Sequence, residues 1–341
     1  MLQLKNSSPF APAISVIPNK DGIDTLYVVV KGTFTLFPEV AIAPAQVPPV
    51  LADEYWGEPG ESSLKYTSEL HVGKSGTDVV LKGSAWASGG RAHEQIVTLT
   101  AAERKKSVHV FGDRTWSGAG KPSSPASFES MPLVYERAFG GTVRDANDPG
   151  RVKAEERNPV GLGFRGPRSQ SAMIGQKLPN LEDPAKLLAS AGDMAPPACF
   201  AFVAPSWMPR RMHGGTYDQS WQKKRAPYLP ADFQPRFFNA ACPEMIFDRF
   251  LVGGELISLV GASRQGPFRF ALPRYAPRVD VKIAGRNETP PPRLETVLLE
   301  PDDNRLSISW RAELMCDKQA LKVQEIAVAL GQMNSPPGGG T

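Results

Sequence analysis

The sequence predicts a mainly β fold of antiparallel sheets, sandwich or barrel-like, with few helices. Gly and Pro are abundant, at 31 and 33 of 341 residues, and helix interiors tolerate few of either. Valine-rich or alternating segments of strand length recur between turn residues. From residue 117 to about 243 the chain is rich in Gly, Pro and aromatic residues and follows neither period. We expect one large domain over residues 1–330, or a β half at 1–116 followed by a second half at 117–330, with a disordered tail at 331–341.

Strands dominate the first 116 residues. The segment DTLYVVVKGTF (24–34) is β-branched and continuously apolar at its centre, which is typical of a strand covered on both faces. TDVVLKGSAW (77–86) repeats this pattern, and in both segments the valines precede a Lys-Gly pair. Next, QIVTLT and KSVHVFGDRTW flank AAERKK, which predicts a hairpin.

Regular patterns return after the central stretch. LVGGELISLVGAS and PFRFALP have strand composition, and VLLEP and RLSISWRAEL flank a turn of Asp and Asn. Leu306, Ile308 and Trp310 alternate with polar neighbours, so this pair predicts the clearest hairpin of the chain. ALKVQEIAVAL matches neither period and is predicted to be either a helix or a closing strand.

The composition narrows the functional class. Apolar residues make up 41% and charged residues 22%, as in a globular protein. The net charge of +4 is spread along the chain, which argues against a nucleic-acid partner. No stretch is long and apolar enough for a membrane helix, and MLQLKNSSPF lacks the features of a signal peptide, so we expect a cytoplasmic protein without a membrane partner. The three cysteines fit reduced thiols better than disulfides or a zinc site.

Two motifs of catalysis and phosphate binding are incomplete. His213-Gly214-Gly215 is similar to an oxyanion-hole loop, but the chain has no G-x-S-x-G nucleophile elbow. VGKSGTD (72–78) ends like a phosphate-binding loop, but the first glycine is replaced by Ser68 and a strand follows instead of a helix. We interpret both as turns.

The metal-binding patterns also fail at a necessary position. DANDPGRVKAEE (145–156) places Asp145 and Asn147 as in a calcium loop, but Pro149 replaces an oxygen ligand. His93-Glu94 has no second histidine four residues later. We therefore assign no catalytic residue, no metal and no cofactor, and expect a folded monomer or weak dimer.

The most unusual stretch is RMHGGTYDQSWQKKRAPYLPADFQPRFFNAA (211–241), in which aromatic and basic residues alternate. This composition is typical of a protein-interaction hot spot and equally of an irregular core. Trp221 has the apolar area to anchor the stretch, and we expect its truncation to unfold the protein. The candidate partner-binding residues are Arg210, Arg211, Tyr217, Lys223, Lys224 and Arg225.

A series of motifs in one order extends from the N-terminus to about Arg311. It includes VVVKGTF, TDVVLKGSAW, FGDRTW, FESMPLVYERAFGG, NPVGLGF, LPNLEDP, SWMPRR, GTYDQSW and LPADFQPRFFNAA. The series resembles a bacterial domain-of-unknown-function family encoded beside the spike and PAAR-tip genes of type VI secretion systems. Within these motifs, we expect structural roles for Lys31, Gly32, Trp86, Asn158, Gly161 and Trp221.

The resemblance implies a function without catalysis. Members of the family are described as adaptors or chaperones that load effectors onto the secretion spike, which implies a PAAR-linked effector, and the spike protein itself, as partners. Two alternatives remain open. One is a ligand- or carbohydrate-binding β-domain with the aromatic stretch as its platform, and the other is an enzyme without a recognisable motif.

Overall fold

The computed structural model describes residues 2–144, 148, 150 and 152–332. Its strands, numbered in chain order, are β1 Gln3–Asn6, β2 Ala11–Pro18, β3 Asp24–Thr35, β4 Ala41–Ile42, β5 Glu54–Tyr55, β6 Leu64–Tyr66, β7 Asp78–Leu81, β8 Ser84–Trp86, β9 Glu94–Ala101, β10 Arg104–Phe111, β11 Ser130–Pro132 and β12 Phe139–Gly140. They continue with β13 Thr142–Arg144, β14 Val152–Ala154, β15 Leu162–Gly163, β16 Leu181–Glu182, β17 Leu256–Val260, β18 Phe268–Ala271, β19 Tyr275–Ile283, β20 Arg286–Glu288, β21 Arg293–Glu300, β22 Arg305–Met315 and β23 Val323–Gln332. The helical segments are α1 Gln219–Lys224 and the 3₁₀ helices Tyr135–Arg137, Ser171–Met173, Arg210–His213, Pro235–Phe238, Pro243–Met245, Pro301–Asp303 and Asp317–Lys322.

Three larger sheets organise the described residues. The six-stranded sheet has the order β2-β3-β22-β21-β7, with β4 also paired to β3. The five-stranded sheet has the order β16-β10-β9-β17-β18, and the four-stranded sheet has the order β1-β23-β19-β20. Most pairs are antiparallel, while β7 with β21 and β1 with β23 are parallel. The mainly β prediction is confirmed, and each of these sheets is open, so the barrel alternative is not the one that forms.

The two predicted hairpins are present. β9 and β10 pair from Ala101 with Arg104 onward, and the turn between them places Ala102 at φ 46°. β21 and β22 pair around a short 3₁₀ turn that ends at Asn304, which has φ 50°. Asn tolerates this left-handed backbone better than most residues, so the Asp-Asp-Asn turn indicated by the sequence serves that purpose.

The main core lies where the sheets meet. Both faces of β3 are covered, since its residues from Thr25 to Phe34 are all buried. Phe10 stacks on Trp310 at a ring-centroid distance of 5.5 Å, and both are 1% exposed. Buried aromatic rings of this size supply much of the apolar area that stabilises a domain. The same core continues through β9, β17 and β23, so strands from both ends of the chain share it.

The central stretch is irregular, as predicted, but it has a core of its own. Short strands and 3₁₀ turns surround a smaller apolar cluster built from Trp116, Phe139, Met173, Leu178, Leu188, Ala191 and Ala195. Dense packing of this kind orders a chain that lacks long helices or strands.

Several sequence expectations need correction. TDVVLKGSAW is two strands, β7 and β8, because after Lys82 the chain leaves β21 and β8 pairs with β11 instead. ALKVQEIAVAL contributes the closing strand β23, which reaches Gln332, so the tail does not begin at 331.

Residues 333–341 lie outside the described residues, as do Asp145 and Asn147 of the calcium-like loop. All three larger sheets combine strands from before and after residue 117. No helix of the described chain is long and apolar enough to cross a membrane.

Candidate functional site

The aromatic and basic stretch forms a largely exposed segment, here called the arm, which comprises residues 210–230. Its base is held by Arg210, which is only 6% exposed. The Arg210 guanidinium donates from Nε to the Phe237 carbonyl at 2.6 Å and from Nη1 to the Val203 carbonyl at 2.7 Å. Burial lowers the pKa of Arg210, while Asp53 and Asp78 act in the opposite direction. Arg210 is thus committed to the interior, where a partner could not reach it.

A tight turn follows the base. Gly215 has φ +78°, and a Cβ atom there would lie 2.9 Å from Pro230 Cβ and 3.1 Å from the Phe233 amide nitrogen. The side chain of Asp232 accepts from the Thr216 amide at 3.0 Å and from the Thr216 hydroxyl at 2.7 Å. Only glycine fits such a position without strain, so the Gly-Gly pair of the sequence closes the arm onto its own return segment.

The short helix α1 forms the middle of the arm. Asp218 caps it by accepting from the Trp221 amide at 2.8 Å, which satisfies a free helical N–H group. The Trp221 indole lies 4.7 Å from the ring of Tyr217 in an edge-to-face arrangement, and its Nε1 donates to the Tyr228 carbonyl at 2.8 Å. Trp221 is half-buried, so it pins the two sides of the arm together. Because Trp221 is only half-buried, we now expect its truncation to loosen the arm rather than to unfold the whole protein.

The other two arginines of the arm, Arg211 and Arg225, both have partners within the protein. Arg211 is exposed and pairs with Glu156 at 2.9 Å. The Arg225 guanidinium donates to the carbonyls of Leu229 and Lys20 and so braces the arm against the turn before β3. The sequence places these residues on one stretch, but their hydrogen bonds give them different tasks.

The exposed groups of the arm are aromatic, thioether and ammonium groups. Met212 is 63% exposed, Tyr217 57% and Tyr228 42%. Lys223 and Lys224 occupy the last turn of α1, and both are exposed without an ion pair to any described carboxylate. Exposed aromatic side chains next to cations are the composition of protein-interaction hot spots. Tyr217, Lys223 and Lys224 are therefore the sequence candidates that the structure leaves available for contact.

Lys31 and Gly32, expected to be structural, lie in the core of β3. Lys31 is 4% exposed and its ammonium lies 3.0 Å from Glu69 Oε2. A Cβ atom on Gly32 would lie 2.9 Å from Phe10 Cε1 and 3.0 Å from Trp310 Cζ3. The Lys-Gly pair thus combines a buried charge with a position that has no space for a side chain.

Asn158 and Gly161 form one tight unit. Asn158 is fully buried and its Nδ2 donates to the carbonyls of Tyr135 at 2.8 Å and Phe139 at 3.0 Å. A Cβ atom on Gly161 would lie 2.3 Å from Asn158 Nδ2 and 2.5 Å from the Ala138 carbonyl oxygen. The Asn158 side chain supplies the hydrogen-bond donor that these backbone carbonyls would otherwise lack. The absence of a side chain at Gly161 lets the two segments come this close together.

Trp86 lies at the end of β8 and is only half-buried. Its Nε1 donates to Asp302 Oδ1 at 2.7 Å, and the Arg264 guanidinium lies 3.9 Å from the ring centroid. This indole is oriented by its hydrogen bond and leaves part of its surface open.

A buried network of charges behind the arm was not found from the sequence. Arg311 Nε lies 2.7 Å from Glu295 Oε2, and both side chains are nearly inaccessible. His71 accepts from the Gly73 amide at 3.1 Å and stacks on Phe238 at 4.7 Å. Burial, followed by the charge of Arg311, holds the pKa of His71 well below its usual value. Nothing local distinguishes these residues from exposed ones, because their burial depends on segments far away in the chain.

The lysine of the phosphate-loop-like motif belongs to the same layer. Lys74 donates to Asp78 Oδ2 and to the Thr296 hydroxyl, each at 2.7 Å. Asp78 also accepts from Asn239 at 2.9 Å. With its donors engaged inside the protein, Lys74 does not point to a phosphate. Among the described residues, no group of three or more His, Cys, Asp or Glu side chains is arranged to hold a metal ion.

Comparison with known families gives a match over most of the chain. Residues 21–311 match the family described as an uncharacterized protein conserved in bacteria (DUF2169). The chain belongs to this family. The DUF2169 match begins in the turn before β3 and ends within β22, so it includes the whole arm. No curated protein and no solved structure matched the chain. The prediction of an uncharacterized bacterial family is confirmed, and the link to type VI secretion stays a prediction.

Proposed function

We propose that this protein is a non-enzymatic cytoplasmic adaptor that binds a type VI secretion effector with a PAAR-like region and helps to load it onto the spike. The observation that carries the proposal is the arm, with Tyr217 57% exposed beside two lysines that form no ion pair with a described carboxylate. The motif series supports the same reading, because it resembles adaptors of that secretion system.

The contacts of the arm favour recognition rather than chemistry. Its backbone is held by the Asp218 cap, the Asp232 bonds to Thr216 and the Trp221 bond to Tyr228. A surface that is ordered before binding loses less conformational entropy when the partner arrives. Since Lys223 and Lys224 are unpaired, the complementary effector surface carries Asp or Glu side chains near an apolar patch.

The test is co-purification of the effector with a tagged adaptor. In the variant Lys223→Glu/Lys224→Glu the two cations become anions, and we expect about tenfold weaker capture, because exposed charges steer and orient partners. The control Lys177→Glu/Lys186→Glu makes the same change in charge at exposed lysines outside the arm. Both variants should melt within a few degrees of wild type, since exposed charges contribute little to folding. Undiminished capture by the arm variant, or equal loss in the control, contradicts the proposal.

A cleft beside β6 favours a second candidate, a ligand-binding domain. Its volume is about 640 Å³, and its floor includes Leu64, Leu133 and Phe202. Trp56 is 47% exposed at the mouth, with the Lys65 ammonium 5.3 Å from its ring centroid. An apolar cleft of this size with an aromatic rim suits a small molecule or a sugar ring. If a panel of oligosaccharides raises the melting temperature of wild type but not of Trp56→Ala, this second function is favoured.

A further inference from the structure

Over β9 and β17 the five-stranded sheet buries only one of its two faces, while towards β16 the other face is also covered, since Phe111 and Glu182 are buried there. On β17, Ile257 and Leu259 are fully buried, whereas Leu256 is 64% exposed and Val260 is 45% exposed. On β9 the same alternation leaves Ile96 49% exposed. Aliphatic side chains that line one solvent-facing side of a sheet mark an interaction surface more often than scattered ones do. This side is here called the outer face.

Small hydroxyl side chains lie between the aliphatic ones. In the strand register, Ser258 is opposite Thr100 and Val260 is opposite Thr98. Directly opposed residues share one face of a sheet, so all four lie on the outer face. The Thr98 and Ser107 hydroxyl groups are 2.9 Å apart. The centre of the outer face is therefore flat, without long charged side chains that would keep a second chain away.

Cations stand at the margins of this flat centre. Lys105 is opposite Thr100, and Arg269 is opposite Ser258, so the row Lys105-Thr100-Ser258-Arg269 ends in a cation on each side. Both are exposed, and neither forms an ion pair with a described carboxylate. Arg264, which stacks on Trp86, is a third exposed cation that forms no ion pair with a described carboxylate.

The nearby carboxylates do not offset these charges. Glu94 lies 3.1 Å from His109, and Glu129 lies 3.5 Å from Arg91. A cavity of about 830 Å³ adjoins the outer face and is lined in part by Trp86, Ile96, Val260 and Arg264. The outer face thus combines an apolar and hydroxyl centre with a basic margin, which complements an apolar segment flanked by acidic residues.

The dimensions of the outer face decide whether a single extended segment or a second copy of this chain can occupy it. Adjacent strands are about 4.8 Å apart, so Lys105 and Arg269, at the ends of a four-strand row, are separated by roughly 14 Å. Leu256 and Val260 are also roughly 14 Å apart along β17. The resulting area of roughly 200 Å² is far below the ~800 Å² that each partner contributes to a stable dimer. A single extended segment of another protein fits this area, and a second copy of this chain does not.

We propose that the outer face binds an extended segment of a protein partner with the pattern acidic-x-aliphatic-x-acidic. A strand advances about 3.4 Å per residue, so residues i and i+4 span roughly 14 Å. Residues i, i+2 and i+4 also point to the same side of a strand. The two acidic side chains therefore reach Lys105 and Arg269 while the aliphatic side chain lies on Thr100 and Ser258. This surface is separate from the arm, and the inference does not depend on the function proposed above.

The experiment is fluorescence anisotropy with the labelled peptide Ser-Glu-Ser-Val-Ser-Glu-Ser and full-length protein. We expect saturable binding below about 1 mM, and at least about tenfold weaker binding to Lys105→Glu/Arg269→Glu, because two exposed ion pairs become repulsive. The apolar centre is tested with Leu256→Thr/Val260→Thr, which keeps side chains suited to a strand and should also weaken binding. Lys177→Glu/Lys186→Glu is the matched control, because it makes the same change in charge at exposed lysines outside the outer face, and it should bind like wild type.

Several outcomes would overturn the proposal. They are the absence of saturable binding at 1 mM, equal binding by Lys105→Glu/Arg269→Glu, or equal binding of a peptide with Lys in place of both Glu residues. Sedimentation that shows a stable dimer dissociated by Leu256→Thr/Val260→Thr would identify a second copy as the occupant instead. Thermal melting of each variant ensures that a lost signal is not caused by unfolding. Loss of peptide binding in the arm variant alone would assign the site to the arm.

Discussion

Glu300, at the end of β21, lies at the centre of a second cluster of buried charges and offers a quantitative test of its contribution to stability. Its side chain is almost inaccessible and accepts three hydrogen bonds, from Lys82 Nζ at 2.7 Å, from the Tyr66 hydroxyl at 2.7 Å and from Arg305 Nε at 2.6 Å. Burial alone would raise the pKa of Glu300, but the bond from Arg305 and the charge of Lys82 lower it to about 2. The variant Glu300→Gln removes the charge and keeps a similar shape.

The pKa determines both the size and the pH range of the effect. A carboxyl whose pKa falls from 4.5 to about 2 on folding stabilises the folded state by roughly 3 kcal/mol, at about 1.4 kcal/mol for each pH unit. Because the folded-state pKa is the lower one, this contribution is present in full above pH 4.5. It is lost as the pH falls from 4.5 towards 2. At pH 7 we therefore expect Glu300→Gln to lower the free energy of unfolding by roughly 3 kcal/mol.

The assay is urea denaturation followed by intrinsic fluorescence at pH 7, 4.5, 3 and 2. The difference in unfolding free energy between wild type and Glu300→Gln should shrink as the pH falls below 4.5. Glu61→Gln is the control, since Glu61 is exposed and forms no ion pair with a described residue, and it should match wild type at every pH. A loss below about 1 kcal/mol at pH 7, or a difference that does not change with pH, would refute the reasoning.

Three further variants or reactions test the packing. Gly32→Ala should destabilise the fold by about 1–3 kcal/mol, because its methyl group would lie 3.0 Å from Trp310 Cζ3; an unchanged melting temperature would contradict this. Trp221→Ala should cost about 1–2 kcal/mol, since the side chain is half-buried, and not the 3–5 kcal/mol typical of a buried Trp; urea titration distinguishes the two. Burial raises the pKa of Cys199 and of Cys242 to about 12, so neither should react with a thiol reagent at pH 8 until urea unfolds the protein. Rapid labelling of either residue in the native protein, located by peptide mapping to separate it from Cys316, would disprove this.

Local patterns in the sequence predicted the strands well where they depend on neighbouring residues. The alternation of Leu306, Ile308 and Trp310 predicted β22, and the turn to β21 follows from the preference of Asn304 for a left-handed backbone. The break after Lys82 could not be predicted, because it depends on which strands the chain meets there. β7 pairs with β21 and β8 pairs with β11, and neither partner is near in sequence.

In the candidate site, too, the sequence predicted local features but not those that depend on distant parts of the chain. Its aromatic and basic composition identified the arm, and its Gly-Gly pair indicated a turn. The sequence could not tell which cations are free, since Arg210 and Lys223 belong to the same stretch. Arg210 turns inward to carbonyls of Val203 and Phe237, while Lys223 projects from the last turn of α1.

By itself, the sequence determined that this chain is built from short strands with a long irregular centre, because Gly, Pro and β-branched residues act on their own backbone. It also showed that the oxyanion-hole, phosphate-loop, calcium-loop and zinc-protease patterns are each incomplete in this chain. Only the tertiary structure decided which charges are buried and which faces are open. Lys31 and Lys74 are enclosed by strands that lie far away in the chain, and Lys223 and Lys224 are not. Burial depends on long-range packing, and a side chain carries no local mark of the segment that will cover it.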